Sequence, residues 1–267
     1  MNPRPSKWAG GPAGDRAVCV LAPNPGPMTL DGTNTWVLGD PGAAQAVVVD
    51  PGPDDEDHLR RVLDVVRSRG AEVAVALLTH GHADHAGGAR RFAELAGCPV
   101  RAFDPAYQLG DEGLRDGDVV AAGGLEIRVL ATPGHTADSL CFLIPEEGAV
   151  LTGDTVLGRG TTVVAYPDGA LGPYLGSLRR LRSLAGQVPV RRLLPGHGPV
   201  LDHPLAVLDY YLAHRAERLE QVRTAVAAGA RTPREVVERV YADVDEVLWP
   251  AAELSVRAQL DYLADED

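Results

Sequence analysis

Cysteine is scarce in this chain of 267 residues, and the three cysteines present are widely separated. Cys19, Cys98 and Cys141 are odd in number and form no CxxC pair. This spacing gives no support for a disulfide framework, and it favours a reducing compartment over a secreted location.

The chain also lacks a long apolar segment and a surplus of positive charge. No stretch is long and apolar enough to span a bilayer, and residues 1–16 are polar and rich in Pro and Gly, unlike a signal sequence. The formal net charge is -12, the pI is about 5.1, and Lys7 is the only lysine. Such an acidic balance gives no electrostatic support for non-specific binding to nucleic acid. We therefore expect a cytoplasmic protein with no membrane partner.

The apolar pattern predicts an α/β fold up to about residue 200, because short β-branched runs alternate there with helical segments. One predicted helix lies within 56–70, where Leu59, Val62 and Leu63 have the spacing of a core-facing stripe. Shorter helices are predicted within 87–99 and 174–186. The predicted strands are 46–50, 72–79, 125–132, 149–154 and 191–196. Several of them are followed by polar loops, the place where open sheets bind ligands.

Beyond residue 204 the pattern becomes almost purely helical. The first helix is predicted to bury one apolar stripe, and Thr232, Pro233 and Glu235 form a predicted capping box at the start of the next. The stripe consists of Leu205, Leu208, Leu212, Leu219, Val222 and Val226. We therefore divide the chain into a flexible leader (1–16), a main domain (17–204) and a helical appendage (205–267).

The segment LLTHGHADHAGG at 77–88 places His80, His82, Asp84 and His85 within six positions, directly after an apolar run. Side chains two residues apart in an extended segment point the same way, so His80 and His82 can face a common point. Asp84 and His85 follow at the predicted start of a helix. Imidazole and carboxylate ligands together suit zinc, iron or manganese, and the cluster therefore predicts a metal site.

Three further polar residues follow predicted strands. His135 lies in TPGHT, Asp154 in LTGDT and His197 in PGHG. Each one alone is explained equally well as a loop or turn residue. Together with the first cluster they provide five histidines and two carboxylates, enough to hold two metals with one carboxylate between them.

The ordered motifs THGHADH, TPGHT, TGD and PGHG resemble those of the metallo-β-lactamase superfamily of hydrolases, over about residues 18–203. The resemblance implies a four-layer αβ/βα sandwich with two divalent metals at one edge. By this analogy one metal is held by His80, His82 and His135. The second is held by Asp84, His85 and His197, and Asp154 bridges the two. Zinc is the usual metal of the family, although some members use iron or manganese.

The resemblance also implies a chemistry. Two adjacent metals lower the pKa of a bridging water, so that hydroxide is present near neutral pH and attacks a carbonyl carbon or a phosphorus. Asp84 is the expected catalytic residue, because it can orient that hydroxide or take its proton. Asn34, Thr161 and Tyr166 are candidate substrate-binding residues, although a role in local turns is equally compatible with their positions. His58, His203 and His214 have no partner pattern, and we interpret them as structural.

The segments 24–39, 158–178 and 214–222 are similar to those of the β-lactamase-like protein 2 group, whose members carry a small winged-helix-like C-terminal domain. That group includes a single-strand endoribonuclease and fungal acyl-carrier thioesterases, and glyoxalase II is a more distant relative. The first hypothesis is therefore hydrolysis of an ester, thioester or lactone in a small or carrier-linked acyl substrate. The first alternative is an endoribonuclease acting on RNA. The second is a non-catalytic binding protein, which is less favoured because all seven ligands are intact. The sequence leaves the oligomeric state open.

Overall fold

Two six-stranded mixed sheets form the centre of the fold in a computed structural model that describes residues 7–266. In each sheet, strands that are adjacent in space are also adjacent in the chain. The first sheet contains β1 (Gly11–Pro12), β2 (Ala17–Leu21), β3 (Asn34–Leu38), β4 (Gln45–Val49), β5 (Glu72–Leu77) and β6 (Val100–Arg101). The second contains β7 (Val119–Ala122), β8 (Leu125–Ala131), β9 (Leu140–Ile144), β10 (Ala149–Gly153), β11 (Arg192–Pro195) and β12 (Leu201–Asp202).

Helices connect the strands and continue the chain beyond them. They are α1 (Glu56–Ser68), α2 (Ala83–Ala86), α3 (Ala89–Ala96), α4 (Leu171–Gln187), α5 (Pro204–Ala227), α6 (Pro233–Val240) and α7 (Trp249–Glu266). Short 3-10 helices lie at Pro105–Tyr107 and Glu246–Leu248. No helix within residues 7–266 is long and apolar enough to cross a membrane.

Apolar side chains fill the space between the sheets, and further clusters cover both outer faces. In β3, Trp36 and Leu38 join the inner cluster, whereas Val37 joins the outer one, because successive strand residues point to opposite faces. Helices α1 and α3 cover the outer face of the first sheet. Helices α4 and α5 cover the second, where Tyr174 and Tyr211 are buried. The predicted four-layer αβ/βα arrangement is confirmed.

The five predicted strands are confirmed as β4, β5, β8, β10 and β11, with ends shifted by one or two residues. The predicted capping at Thr232 is also confirmed, since its side chain accepts a hydrogen bond from the Glu235 amide at 3.2 Å. The Glu235 carboxylate accepts from the amide of Arg231, one residue before the usual capping-box position. Helix α6 therefore begins where the sequence predicts.

The predicted apolar stripe of α5 is wrong at two positions. Leu205 and Val226 are exposed, with 42% and 41% of their surface accessible. Leu208 packs on α4, whereas Val222 packs on α6 and α7. Because the helix is covered by different partners along its length, residues at its two ends project beyond them.

The proposed domain boundaries stay predictions. Residues 1–6 of the predicted leader lie outside the described residues, whereas Gly11–Pro12 pairs with β2 as an edge strand. The first part of α5 belongs to the outer layer of the second sheet, and its second part packs with α6 and α7. The C-terminal helices therefore extend directly from the main core.

Leu208 and Leu205 form a matched pair for testing this packing. Leu208→Ala should lower the free energy of unfolding by about 2–5 kcal/mol, because it leaves a cavity in a filled core. Leu205→Ala should change it by less than about 0.5 kcal/mol, since that side chain is largely exposed. Urea denaturation followed by circular dichroism measures both values. Equal losses would contradict the placement of α5.

Candidate metal centre

The predicted metal-binding residues follow four strands that end at one edge of the two sheets. Asp154 and His197 come after β10 and β11, which are parallel neighbours, so their loops leave the second sheet side by side. The segment after β5 in the first sheet reaches the same edge. There the amide of Leu140 donates to the carbonyl of Thr79 at 2.8 Å and joins the two sheets.

Three histidines form the first group. His80 Nε2 lies 3.0 Å from His82 Nδ1, and that atom lies 3.1 Å from His135 Nε2. His80 and His135 are buried, whereas His82 is exposed. One side of this group is therefore open to solvent.

The second group contains Asp84, His85 and His197. His197 Nε2 lies 3.2 Å from both His85 Nε2 and Asp84 Oδ2. Asp154 lies between the groups, with Oδ2 at 3.3 Å from His197 Nε2 and 3.7 Å from His135 Nε2. The fold thus brings together all seven residues that the sequence singled out.

Each buried histidine is held at its outer ring nitrogen. The pairs are His80 Nδ1 with Thr79 Oγ1 at 3.0 Å, His85 Nδ1 with Asp50 Oδ2 at 2.8 Å, His135 Nδ1 with the Val163 carbonyl at 2.7 Å, and His197 Nδ1 with the Gly32 carbonyl at 3.2 Å. Carbonyl and carboxylate oxygens only accept hydrogen bonds, so the outer nitrogens facing them carry protons. When neutral, His85, His135 and His197 therefore direct the lone pairs of their inner nitrogens into the centre, as metal-binding histidines do.

The second group attracts positive charge. Burial lowers the pKa of His197, but Asp154 and Asp84 outweigh burial and raise it to about 9. Burial likewise lowers the pKa of His85, and Asp154 and Asp50 raise it well above its ordinary value. Burial raises the pKa of Asp84, yet His197 and His85 hold it below its usual range. The carboxylates therefore favour a cation among these nitrogens.

The donor set fits a divalent metal. Asp154 Oδ1 is buried and has no hydrogen-bond partner among the described residues. A Cβ at Gly196 would lie 2.5 Å from that oxygen and 2.7 Å from His85 Cε1, so the backbone passes close to the centre only because this residue is glycine. Inward lone pairs around a carboxylate oxygen without a partner form a set of nitrogen and oxygen ligands suited to zinc, iron or manganese.

A pocket of about 400 Å³ opens beside this centre and includes His135 and Asp154 in its wall. It lies between the loop that follows β10 and the helices α5 and α7. Much of the wall is apolar and is formed by Pro27, Met28, Leu30, Leu157, Val163, Val244, Leu248, Ala251 and Ala252. A ligand in the pocket would therefore contact both apolar surface and the metal-binding residues.

The three candidate substrate-binding residues have different positions. Thr161 lines the pocket. Asn34 is fully buried, and its Nδ2 donates to the carbonyls of Pro195 and Gly198 at 2.9 Å each. Asn34 therefore holds the loop around His197, and its substrate contact stays a prediction.

Tyr166 lies outside the wall of the pocket, with 41% of its surface exposed. Its substrate contact stays a prediction. His214, interpreted from the sequence as structural, lines the pocket and has Nε2 at 3.4 Å from Thr161 Oγ1. His58 is buried with Nε2 at 2.9 Å from Thr35 Oγ1, in keeping with a structural role.

Sequence reasoning missed two side chains that position the centre. Asp50 accepts hydrogen bonds from the amide and hydroxyl of Thr79, both at 2.7 Å, besides its contact with His85. Thr33 Oγ1 donates to Asp84 Oδ2 at 3.0 Å. In the sequence VVVDPG, an acidic residue comes directly after a buried strand, and this signal could have identified Asp50. Nothing in the sequence around Thr33 distinguishes Thr33 from other threonines.

Comparison with known proteins agrees with this geometry. Residues 28–197 match the model of the metallo-beta-lactamase superfamily, and residues 232–267 match a beta-lactamase associated winged helix domain. A beta-lactamase-like protein 2 homolog of Caenorhabditis elegans is 34% identical over 86% of this chain and 77% of its own. An atrochrysone carboxyl ACP thioesterase of Aspergillus fumigatus is 34% identical over 85% of this chain and 73% of its own.

The fold of a metallo-beta-lactamase family protein from Thermus thermophilus is also similar. Its crystal structure superimposes with a TM-score of 0.75 at 22% identity, covering 94% of this chain and 93% of the other. The motifs, the two sheets and the family model all agree, and the chain belongs to the metallo-beta-lactamase superfamily.

Proposed function

We propose that this protein is a binuclear metal-dependent hydrolase that cleaves an ester, thioester or lactone-type bond of an acyl substrate. The observation that carries the proposal is the pocket beside His135 and Asp154, because it joins a mostly apolar wall to the predicted metal ligands. Ligand sites with this combination of apolar surface and a few polar groups bind small organic molecules.

In this proposal His80, His82 and His135 hold one divalent metal, and Asp84, His85 and His197 hold the other. Asp154 would be a ligand shared by the two metals. Zinc is the first choice, and the same nitrogen and oxygen ligands also suit iron or manganese. When bound, the two ions supply a nucleophile from water at neutral pH and polarise the carbonyl of the substrate.

The residues of the chain bind the substrate and move its protons. The apolar wall of the pocket holds the acyl group, and Asp84, with 27% of its side chain exposed, accepts the proton of the attacking water. In thioester hydrolysis the water oxygen bonds to the carbonyl carbon, and the carbon–sulfur bond breaks. The thiolate leaves and is protonated, and the acyl group is released as a carboxylate. Thr33, which donates to Asp84 Oδ2, fixes the orientation of that carboxylate.

One relative supports an acyl substrate attached to a carrier. The Aspergillus fumigatus relative is named as a thioesterase for an acyl carrier protein (ACP), and the match covers most of both chains. Similarity alone does not transfer a substrate, because one fold supports many reactions. The pocket, however, gives independent room for an acyl group in this chain.

A metal-dependent endoribonuclease is the second candidate. The observation in its favour is that Arg159, Arg215 and Arg218 line the pocket, since guanidinium groups bind phosphate well. Against it, residues 201–267 contain seven arginines and fourteen acidic residues, a poor surface for a polyanion. Single-stranded RNA is therefore included among the test substrates below.

The first prediction concerns metal content. After reconstitution, mass spectrometry should find about two divalent ions per chain, and His82→Ala should lower that number because one ligand is lost. His203→Asn is the control, since His203 lies outside the metal-binding groups and asparagine tolerates its positive φ of 59°. Loss of metal from the control, or no loss from His82→Ala, would contradict the assignment.

A second prediction concerns Asp50. Asp50→Asn should weaken metal binding about 10- to 100-fold, because the carboxylate that orients His85 is lost while the ligand itself remains. Competition with a chelator measures the change. The control is Asp64→Asn on the exposed face of α1, which should leave the affinity unchanged. Equal affinity in both variants would show that Asp50 does not position the centre.

A third prediction tests the reaction itself. The metal-loaded protein should hydrolyse acyl thioesters, and Asp84→Asn should lower kcat at least about 10²-fold, because both proton transfer and a ligand of the second metal are impaired. Asp64→Asn again serves as the control. Cleavage of single-stranded RNA with no hydrolysis of thioesters, esters or lactones would favour the second candidate. Inactivity on all these substrates would leave the binding-protein hypothesis.

A further inference from the structure

The wall of the pocket carries positive charge, although the chain as a whole has a formal net charge of -12. Three arginines line it, namely Arg159, Arg215 and Arg218. Asp154, which belongs to the metal-binding groups, is the only carboxylate among the described residues that line the pocket. The pocket is therefore basic at a distance from the metal centre, within an acidic protein.

Only one of these arginines has an acidic partner. Arg159 Nη2 lies 2.8 Å from Asp31 Oδ2 and is neutralised by it. Neither Arg215 nor Arg218 forms an ion pair within residues 7–266. Both lie on α5, three residues apart, and side chains with this spacing share a helix face.

Arg215 is almost completely buried, with 7% of its surface exposed. Its Nη2 donates to the carbonyl of Thr162 at 2.5 Å, and its guanidinium carbon lies 4.9 Å from the centre of the Tyr174 ring. Its Nε is buried and has no hydrogen-bond partner among the described residues. A buried cation with an unused donor is costly unless an anion approaches it.

Arg218 is half-buried at the same wall. Its guanidinium carbon lies 4.7 Å from the centre of the Tyr241 ring. Its Nη1 donates to the carbonyl of Val240 at 2.7 Å and to Gln221 Oε1 at 3.0 Å. Within the described region these hydrogen bonds use Nη1 alone, so Nε and Nη2 can bind two oxygens of one anion, the usual geometry for a carboxylate or phosphate.

We infer that the substrate carries an oxyanion, a carboxylate or a phosphate, that Arg215 and Arg218 bind while the bond to be cleaved lies beside His135 and Asp154. This inference rests on the proposed hydrolase function and specifies its substrate class. The apolar wall then holds the carbon chain that connects the two ends. The anion can belong to the acyl group, as a second carboxylate, or to the thiol group, as the phosphate of phosphopantetheine.

The test compares matched thioesters on the metal-loaded protein. In the first pair the anion is on the acyl group: thioesters of N-acetylcysteamine with a dicarboxylic acid are compared with fatty acyl thioesters of equal chain length. In the second pair the anion is on the thiol: the butanoyl thioester of phosphopantetheine is compared with that of pantetheine. The anionic member of one pair should have a kcat/KM at least about 10-fold higher. The pair that shows the preference identifies the source of the anion.

Arg218→Gln should lower kcat/KM about 10- to 100-fold for the preferred anionic substrate and clearly less for its neutral partner, because the contact with the anion is lost only for the first. Arg218→Lys should recover part of the activity. Arg223→Gln is the matched control, since Arg223 lies on the same helix and pairs with Glu220 at the surface. Thermal melting checks that all variants fold.

A second readout separates this inference from the proposed function. Titration calorimetry measures binding of the free dicarboxylic acid or of phosphopantetheine to the wild type and to Arg218→Gln. Hydrolysis without any preference for an anion, or equal losses on charged and neutral substrates, would overturn the inference and leave the hydrolase function intact. Binding that depends on Arg218 without hydrolysis of any thioester would support the anion site and overturn the proposed function.

Discussion

The Asp50 carboxylate joins three parts of the chain, and the geometry of the candidate metal centre depends on it. It lies directly after β4, accepts two hydrogen bonds from Thr79 after β5, and accepts a third from His85 on α2. With a buried acceptor on its outer nitrogen, the His85 ring can face only inward. The same principle applies to the other buried histidines, each fixed by a hydroxyl or carbonyl group. The centre is thus preorganised by groups in the loops at this edge of the sheets, in addition to the proposed ligands themselves.

The sequence predicted the residues that meet at the candidate metal centre better than the residues that position them. The ligands are His and Asp residues in close spacing, and few chemical roles other than metal binding explain such a pattern. Asp50 and Asn34 are single residues whose roles arise from contacts with chain segments far away in sequence. Asn34 binds the carbonyls of Pro195 and Gly198, contacts that no local pattern could indicate.

The same distinction applies to the fold. Strands rich in β-branched residues, such as β4 and β10, were predicted, whereas β3 and β9 were missed because NTWVL and LCFLI are short mixed apolar runs without a clear period. The exposure of Leu205 and Val226 could not be predicted either, since the helical period says which side chains share a face but not where the covering elements end. The pocket depends on such tertiary contacts: the Tyr211 hydroxyl accepts from the Leu157 amide at 2.8 Å and fixes α5 beside the loop after β10.

The buried polar atoms without partners show where this structure departs from rules of stability. Within the described residues there are three, Asp154 Oδ1, Arg215 Nε and Gln259 Oε1, and the first two belong to residues that line one pocket. An unsatisfied buried donor or acceptor costs about 1–3 kcal/mol, so folded proteins retain few of them. Here a carboxylate and a guanidinium group belong to residues of the same wall, in agreement with the proposals that a metal binds the first and an oxyanion the second. The unsatisfied groups of Asp154 and Arg215 have opposite charge, and both residues line the same pocket. A site for a metal and an anionic substrate requires this arrangement.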